Sequence, residues 1–316
     1  MTTTELHRGV EVCICTHNRR DYLQRCMDAL LPQLVPGVSS LTVVDNHSSD
    51  GTMGYLQSLA SRNKLVRYVY EPQPGLSHAR NRGWKECTHE WIFYLDDDCL
   101  PSSAIVETAL QLIDEYKFLD AIGGPITPLF TDTIPEWLPS GFGHFNMPYH
   151  EVTAIDTGFI RGGCLMVKRG VLEKLEGFNT ELGVRGKELH YGEDIELQVR
   201  MRKAGFSIGY APSLRTDHFV RTDKLSVGWV LRSEYARRRD KMLFDPVSFP
   251  LATLHLFRTI LGRLLWTPVH LYHLVTSKSY PVQRALYDVL KPIAYRAGEW
   301  VGVLIYTFTP RAQRIQ

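Results

Sequence analysis

The sequence predicts an α/β protein with a doubly wound, mostly parallel sheet and a helical C-terminal extension. Three observations predict this fold class. In the first third of the chain, short apolar runs alternate with segments of helical periodicity, which is the β-α-β order of a parallel sheet. One apolar run, Trp91–Leu95, leads directly into Asp96-Asp97-Asp98. From Leu225 onward, aromatic and aliphatic residues are interleaved with arginines, a pattern that indicates helices.

The predicted elements follow one another without a linker. The predicted strands are Val10–Thr16, Leu41–Asp45, Leu65–Tyr70, Trp91–Leu95 and Gly163–Val167. Helices are predicted over Asp21–Leu34, from the turn at Gly51 to about Arg62, within Gly75–Glu86, and over Ser102–Glu115 and Ile195–Ala204. The first half therefore resembles a Rossmann-like nucleotide-binding sheet, and the Pro- and Gly-rich chain beyond Gly123 is expected to form an acceptor-binding half.

The composition is that of an ordinary globular protein. The chain has 316 residues, of which 44% are hydrophobic and 22% are charged. A formal net charge of +2 is small for this length, so bulk charge gives no reason to expect nucleic acid, and we expect none. The six cysteines form no Cys-x-x-Cys pair, and the first nine residues lack the apolar core of a secretory signal. We therefore expect a protein of the reducing cytoplasm.

Three segments are predicted: a tail over 1–9, a catalytic domain over 10–224 and a helical region over 225–316. Phe249–Val275 is about long enough to cross a bilayer, but Arg258 and Arg263 are costly at that depth and Pro268 is expected to break the helix. We favour an amphipathic segment on the cytoplasmic face of the membrane, with Arg237–Arg239 near anionic headgroups. Packing against the core or in a homo-oligomer is the alternative.

Asp96-Asp97-Asp98 predicts a metal site at the end of a buried strand. Three adjacent carboxylates repel one another unless a cation or strong partners neutralise them. Oxygen ligands at this density suit Mg²⁺ or Mn²⁺. In open α/β sheets, ligands bind outside the carboxyl ends of the strands, where this triplet is expected. The alternative is a solvated acidic turn that precedes a helix.

Two further segments carry candidate ligand-binding groups. Asp45 ends a strand and is followed by a polar turn, where a carboxylate can accept hydrogen bonds from a base or ribose. Its alternative role is an Asx turn to nearby backbone amides. Arg80 and Arg82 lie in the first turns of a predicted helix, where they could face a diphosphate. Surface ion pairs are the alternative for both arginines.

Together these segments resemble the inverting glycosyltransferases of family 2, which have the GT-A fold. The resemblance covers roughly residues 10–220, and the ordered set is far more specific than any one motif. The matching segments are Val12–Asn18, Val43–Thr52, Gly75–Gly83, Tyr94–Asp98, Arg161–Cys164 and Gly192–Leu197.

The resemblance implies roles for the residues of a donor site. Thr16 and Asp45 would hold the nucleobase of a nucleoside-diphosphate sugar, and Arg80 would assist at the nucleotide. The D-x-D metal site would be formed by Asp96 and Asp98. Asp97 would face the ribose or sugar of the donor.

The resemblance also implies that Asp194 is the general base for the acceptor hydroxyl, with Glu193 beside it less favoured in that role and assigned to the acceptor site. One base suffices for direct displacement, which inverts the sugar carbon. Asp194 as a helix cap is the alternative. His218 is a candidate third ligand for Mn²⁺, and Arg221 a candidate for the diphosphate from a mobile loop; an ordinary satisfied histidine is the alternative for His218.

Candidate acceptor contacts lie in the second half of the domain. Gly162 and Gly163 would let an acceptor approach the backbone closely, with a β-bulge as the alternative. Trp137 would stack on a sugar or, alternatively, anchor its loop as a buried side chain.

The function expected from this resemblance is a metal-dependent inverting transfer of one sugar, using Mn²⁺ or Mg²⁺. A UDP-sugar is the favoured donor, and a glycan or lipid-linked hydroxyl is the acceptor, in polysaccharide or glycoconjugate biosynthesis. The chain lacks the Gln-x-x-Arg-Trp signature of processive synthases, which favours single addition. A nucleotidyltransferase acting on sugar phosphates and a non-catalytic sugar-nucleotide-binding protein remain alternatives. The former is ranked lower because no Gly-rich phosphate loop lies between Val10 and Asp21.

Overall fold

The computed structural model describes residues 7–186, 188–277 and 280–309. Its strands, numbered in chain order, are β1 (His7–Thr16), β2 (Ser39–Asp45), β3 (Val66–Tyr70), β4 (His89–Asp96), β5 (Cys99–Pro101), β6 (Ala121–Gly123), β7 (Ile126–Phe130), β8 (Thr153–Ala154), β9 (Cys164–Lys168), β10 (Ile208–Tyr210) and β11 (Thr216–Val220). Its α-helices are α1 (Arg20–Leu30), α2 (Thr52–Arg62), α3 (Leu76–Glu86), α4 (Ile105–Glu115), α5 (Arg169–Lys174), α6 (Glu193–Lys203), α7 (Val227–Lys241), α8 (Phe249–Thr276) and α9 (Val282–Phe308).

The predicted fold class is confirmed. The large sheet has the strand order β3-β2-β1-β4-β9-β6-β10-β8. β1, β2, β3 and β4 are parallel neighbours, whereas β9 is antiparallel to both β4 and β6. Each predicted strand is present within a few residues of its expected bounds. β1 already begins at His7, inside the predicted tail, because it pairs there with His89 of β4.

The sheet is covered by apolar side chains on both faces. Val10, Val12 and Ile14 of β1 belong to one buried cluster, while Cys13 belongs to a second cluster on the other face. This alternation follows from the two-residue repeat of a strand. Because both faces are buried, the polar ends of the strands are the positions at which ligand-binding side chains reach the sheet edge.

The chain forms two compact units. The first unit extends to Leu129 and also contains Gly143–Gly186 and Glu193–Phe219. The second unit contains Phe130–Phe142, residues 188–192 and the chain from Val220. Residues 130–142, 188–192 and 220–224, which lie within the predicted catalytic domain, therefore group with the helices. Sequence order alone does not reveal that exchange, since it depends on contacts between distant segments.

Helices α7, α8 and α9 form the second unit, which confirms the predicted helical region. Gly298 and Gly302 of α9 lie one turn apart and face the backbone of α7. A Cβ at either glycine would collide with the carbonyl oxygen of Tyr235 or Arg239. The two helices therefore pack closely because these two positions lack side chains.

One expectation about this unit is wrong. α8 continues through Pro268, although a proline was expected to break it; the missing N–H costs one hydrogen bond, which a long helix tolerates. Arg238 and Arg239, which were expected near anionic headgroups, pair with acids of the protein, and the headgroup contact remains a prediction. Arg238 donates to the buried Glu299 at 2.7 Å, and Arg239 donates to Asp240 at 2.6 Å. Among the described residues, no helix combines the length and the apolar character needed to cross a bilayer.

Candidate functional site

The candidate site is built at the carboxyl edge of the central strands. The parallel register places Thr16 of β1 opposite Asp45 of β2, and Cys15 opposite Asp96 of β4. Parallel strands end at the same edge, so the ends of β1, β2 and β4, which are far apart in sequence, become neighbours there. This edge lies within the first unit.

The three consecutive aspartates have different environments. The side chain of Asp96 is 34% exposed, whereas those of Asp97 and Asp98 are almost fully buried. Asp97 accepts hydrogen bonds from the hydroxyl of Thr16 and from Arg19, both at 2.8 Å. Burial raises the pKa of Asp97 despite the opposing charge of Arg19. Asp97 was expected to face the donor and Thr16 to hold the nucleobase. The hydroxyl of Thr16 donates to Asp97, and both roles remain predictions.

Asp96, Asp98 and His218 form the candidate metal site. One potential ligand atom from each lies within 4.8 Å of the others. β11 pairs antiparallel with β5 and places His218 opposite Cys99, directly beside the end of the acidic triplet. The imidazole Nε2 lies 2.9 Å from Asp98 Oδ1. Two carboxylates and an imidazole form a donor set that could hold a divalent metal ion.

Arg19 is part of the site and was not identified from the sequence. Its Nη1 donates to Asp97 at 2.8 Å and to Asp98 at 3.2 Å. The charge of Asp97 raises the pKa of Arg19, so the guanidinium remains a cation between the two acids. The available signal was its position three residues after the end of β1, at the same edge as the triplet.

Arg80 is buried beneath the site. Its guanidinium donates to Glu193 at 2.7 Å and to Asp96 at 3.4 Å. The rings of Tyr94 and Phe178 lie 5.7 and 5.4 Å from it. Arg80 therefore links the acidic triplet to the start of α6. Arg82, the other arginine of this segment, pairs with Glu86 on the same helix, as the alternative interpretation expected.

Glu193 and Asp194 open α6, and both are buried. Asp194 accepts the backbone N–H of Gly162 at 2.7 Å and that of Ile195 at 2.9 Å. Burial, followed by the charge of Asp194, raises the pKa of Glu193 to about 7 against the opposing charge of Arg80. Asp194 is thus hydrogen-bonded to the backbone of Gly162, and Glu193 is paired with the buried Arg80.

Gly162 and Gly163 allow two site residues to approach the backbone. A Cβ at Gly162 would lie 2.6 Å from Arg80 Nη2, and a Cβ at Gly163 would lie 2.6 Å from Asp96 Oδ2. The two glycines were predicted as acceptor contacts. In this structure, the space that a side chain would fill is occupied by Arg80 and Asp96. Their lack of side chains is therefore already required by the site itself.

Asp45 combines a turn contact with an open acceptor. Its Oδ1 accepts the N–H of Ser48 at 2.9 Å, as in the alternative Asx interpretation. Its Oδ2 is buried and has no hydrogen-bond partner among the described residues. Asn46 fixes the adjacent loop by donating to the carbonyl of Gln73 and accepting from Gly75 N–H. A buried acceptor without a partner is what a ligand donor would satisfy.

Two predicted residues lie in the second unit. Trp137 is buried there, with its ring 5.7 Å from that of Tyr287, which agrees with the alternative role of a loop anchor. Arg221 pairs with Asp223 at 2.8 Å. The predicted sugar contact of Trp137 and diphosphate contact of Arg221 remain predictions.

Several known proteins are similar to this chain in sequence. Residues 11–176 match the model of the family described as Glycosyl transferase family 2. The chain is 26% identical over 240 residues to the succinoglycan biosynthesis protein ExoM of Rhizobium meliloti, covering 74% of each chain. It is 22% identical over 311 residues to the glycosyltransferase AglE of Haloferax volcanii, covering 96% of this chain and 98% of the relative.

A solved structure is similar in fold. The mannosyltransferase PcManGT from Pyrobaculum calidifontis, determined in complex with GDP-Man and Mn²⁺, superposes with a TM-score of 0.61 at 16% identity. The match covers 95% of this chain and 87% of the other. The likeness shows a shared fold.

Proposed function

Because the chain belongs to glycosyl transferase family 2, it is a glycosyltransferase of GT-A type, and we propose that it transfers a single sugar, with inversion and with the help of a divalent metal. The donor is a nucleoside-diphosphate sugar, and the acceptor is a hydroxyl of a glycan or a lipid-linked sugar. The names of two relatives, a succinoglycan biosynthesis protein and a lipopolysaccharide core glycosyltransferase, support a role in polysaccharide or glycoconjugate biosynthesis.

The observation that carries the proposal is the convergence of Asp96, Asp98 and His218 at the end of β4. The donor set fits Mn²⁺, and Mg²⁺ would use mainly its two carboxylates. A divalent cation held there would stabilise the charge that develops on the leaving diphosphate. PcManGT, whose structure contains Mn²⁺ and GDP-Man, gives further support through the shared fold.

Donor recognition is assigned to the edge formed by β1 and β2. The unpartnered Oδ2 of Asp45 is suited to accept a hydrogen bond from the nucleobase. Thr16 acts indirectly, because its hydroxyl holds Asp97. We favour a UDP-sugar and test it against the GDP-sugar that PcManGT binds.

Asp194 is the proposed general base. Its two backbone hydrogen bonds fix the carboxylate, and each oxygen retains a lone pair for the proton of the acceptor hydroxyl. Glu193 is the second candidate, because its pKa of about 7 lies near the expected working pH. Its ion pair with Arg80 favours instead a role in holding the site together.

The first experiment is a thermal-shift panel of UDP-, GDP- and dTDP-sugars, each with and without Mn²⁺. Ligands that bind only the native state raise its apparent stability. We expect one nucleotide class to stabilise the protein, and only when Mn²⁺ is present. Stabilisation without metal, or by no nucleotide, would contradict the proposed donor site.

The second experiment compares Asp194→Asn with Glu193→Gln. We expect Asp194→Asn to bind the selected donor like the parent while its rate of transfer falls roughly 10²- to 10⁴-fold. Glu193→Gln should retain much more activity. The opposite ranking would transfer the role of base to Glu193. Donor binding without turnover in the parent would indicate a binding protein, and pyrophosphate release from a nucleoside triphosphate would indicate a nucleotidyltransferase.

A further inference from the structure

Helix α8 exposes a broad apolar surface. Phe257, Leu264 and Leu265 are 63%, 65% and 71% exposed, and Trp266 and Tyr272 are also exposed. These side chains belong to a larger exposed set on the same helix, which also includes Phe249, Leu251, Leu254, Ile260, Leu261, Val269, Leu271 and Val275. An exposed apolar surface of this extent marks an interaction site.

Helix α8 has basic residues but no acidic ones. The helix has 28 residues and contains arginine and histidine but no aspartate or glutamate. Arg258 and Arg263 form no ion pair with any residue in the described part of the chain, although Arg263 donates to the carbonyl of Asp288 at 3.4 Å. The helix that carries the apolar surface therefore supplies basic side chains and no acidic ones.

A cavity of about 490 Å³ lies beside this surface, lined by residues of α8 and α9. Three of its lining residues are the arginines Arg258, Arg263 and Arg296, and His255 and Tyr295 add further donors. None of the residues that line it is acidic. Guanidinium groups match the oxygens of a phosphate.

The buried carboxylate of Glu299 contacts two residues that line this cavity, His255 and Arg296, and it also pairs with Arg238. Glu299 accepts from Arg238 and Arg296, each at 2.7 Å, and its other oxygen lies 2.6 Å from His255 Nδ1. One negative charge thus serves two guanidinium groups. Arg258 adds positive charge that Glu299 does not neutralise.

We propose that this cavity binds the phosphate of an anionic phospholipid headgroup while the apolar surface of α8 inserts into the membrane interface. The combination of an exposed apolar face with adjacent arginines complements a lipid that carries both acyl chains and a negative phosphate. A second copy of this chain fits less well. The apolar surface is wider than a coiled-coil seam, and α8 has no acid that could pair with the arginines of another α8.

The inference deepens the membrane contact that we expect of a transferase using lipid-linked acceptors. Its test measures vesicle binding without donor or acceptor. Failure of this inference would therefore leave the proposed transfer reaction unaffected, and failure of the transfer assay would leave the lipid site standing.

The test is flotation of the full chain with vesicles of phosphatidylcholine, with or without phosphatidylglycerol. The variant Arg258→Gln/Arg263→Gln is compared with Arg62→Gln/Lys64→Gln, which removes the same charge from exposed positions around the end of α2. An arginine near an anionic surface contributes roughly fivefold to binding, so the first variant should bind roughly 30-fold more weakly. The control variant should bind like the parent.

A second variant tests the apolar part of the surface. Phe257→Ser/Leu264→Ser changes two exposed side chains, so the fold should be retained while vesicle binding falls. Lipids with brominated acyl chains should quench the fluorescence of the parent, and Trp266→Phe should remove part of that quenching. If Arg258→Gln/Arg263→Gln fails to fold, Phe257→Ser/Leu264→Ser decides whether the surface of α8 binds membranes.

Three results would overturn the proposal. The first is that the parent fails to bind anionic vesicles. The second is that both charge variants weaken binding equally, which would indicate an effect of bulk charge rather than of a site. The third result is a dimer in sedimentation analysis that Phe257→Ser/Leu264→Ser converts to a monomer, without vesicle binding by the parent. That outcome would assign the surface to a second copy of the chain.

Discussion

Replacing Arg19 with glutamine would leave two buried carboxylates without their shared cation. Arg19 donates to Asp97 at 2.8 Å and to Asp98 at 3.2 Å, and the side chains of the two acids are only 3% and 1% exposed. Loss of one partner from a buried ion pair costs about 3–5 kcal/mol. The Arg19 side chain is 29% exposed, so solvent screens part of this interaction, and we expect a loss of about 2–3 kcal/mol.

The assay is thermal unfolding of parent and variant in a metal chelator and then in Mn²⁺. In chelator, this loss of stability corresponds to a decrease of roughly 5–10 °C in the melting temperature of the first unit. Mn²⁺ at 100 times its dissociation constant stabilises the native state by about 2.7 kcal/mol. Because a cation bound to Asp98 replaces part of the missing positive charge, Mn²⁺ should stabilise the variant more than the parent.

The matched control is Arg20→Gln, the same change at the adjacent and exposed residue. Arg20 lies 5.9 Å from the ring of Tyr55 and forms no ion pair among the described residues. The free energy of unfolding of Arg20→Gln should lie within about 1 kcal/mol of that of the parent. The reasoning is refuted if Arg19→Gln melts like the parent in chelator, or if Mn²⁺ binds both proteins and leaves the difference between them unchanged.

Two further predictions concern the site and the core. In Gly163→Ala, the new Cβ would displace the Asp96 carboxylate, so Mn²⁺ affinity measured by calorimetry should fall roughly tenfold or more, whereas Gly170→Ala, whose Cβ meets nothing within 4 Å, should bind normally. The pKa of the buried Glu11 is lowered to about 2; burial opposes this shift, and hydrogen bonds from His89, Thr42 and Thr88 more than offset it. The stability that Glu11 contributes is therefore present above its ordinary pKa and lost as pH falls towards 2, by roughly 3 kcal/mol. In denaturant unfolding at several pH values, Glu11→Gln should remove this acid dependence and exposed Glu90→Gln should not; equal profiles for both variants would contradict the assignment.

Much of the structure of the first unit can be predicted from local sequence patterns. β4 is an apolar run that ends in three acids, and α6 opens with two acids, so both elements and their polar ends are visible in the order of residues. The placement of Asp45 and Asp96 at one edge also follows, because parallel strands end on the same side of a sheet. The C-terminal helices were visible from the interleaving of apolar and basic residues.

The contacts that each site residue makes cannot be predicted from such patterns. No local pattern indicates that Arg19 and Thr16 hold Asp97 by hydrogen bonds. None indicates that Arg80 lies against Gly162. In each case the deciding partner is distant in sequence or lies on another strand.

The sequence by itself determined the α/β class, the acidic edge and the family resemblance, because strand periodicity and short motifs are local properties of the chain. Only the tertiary structure decided which acids are exposed, that His218 joins Asp96 and Asp98, and that Arg238 is turned toward Glu299. These outcomes depend on strand register and on the competition among buried charges for few partners. Both are set by contacts between segments that no local pattern encodes.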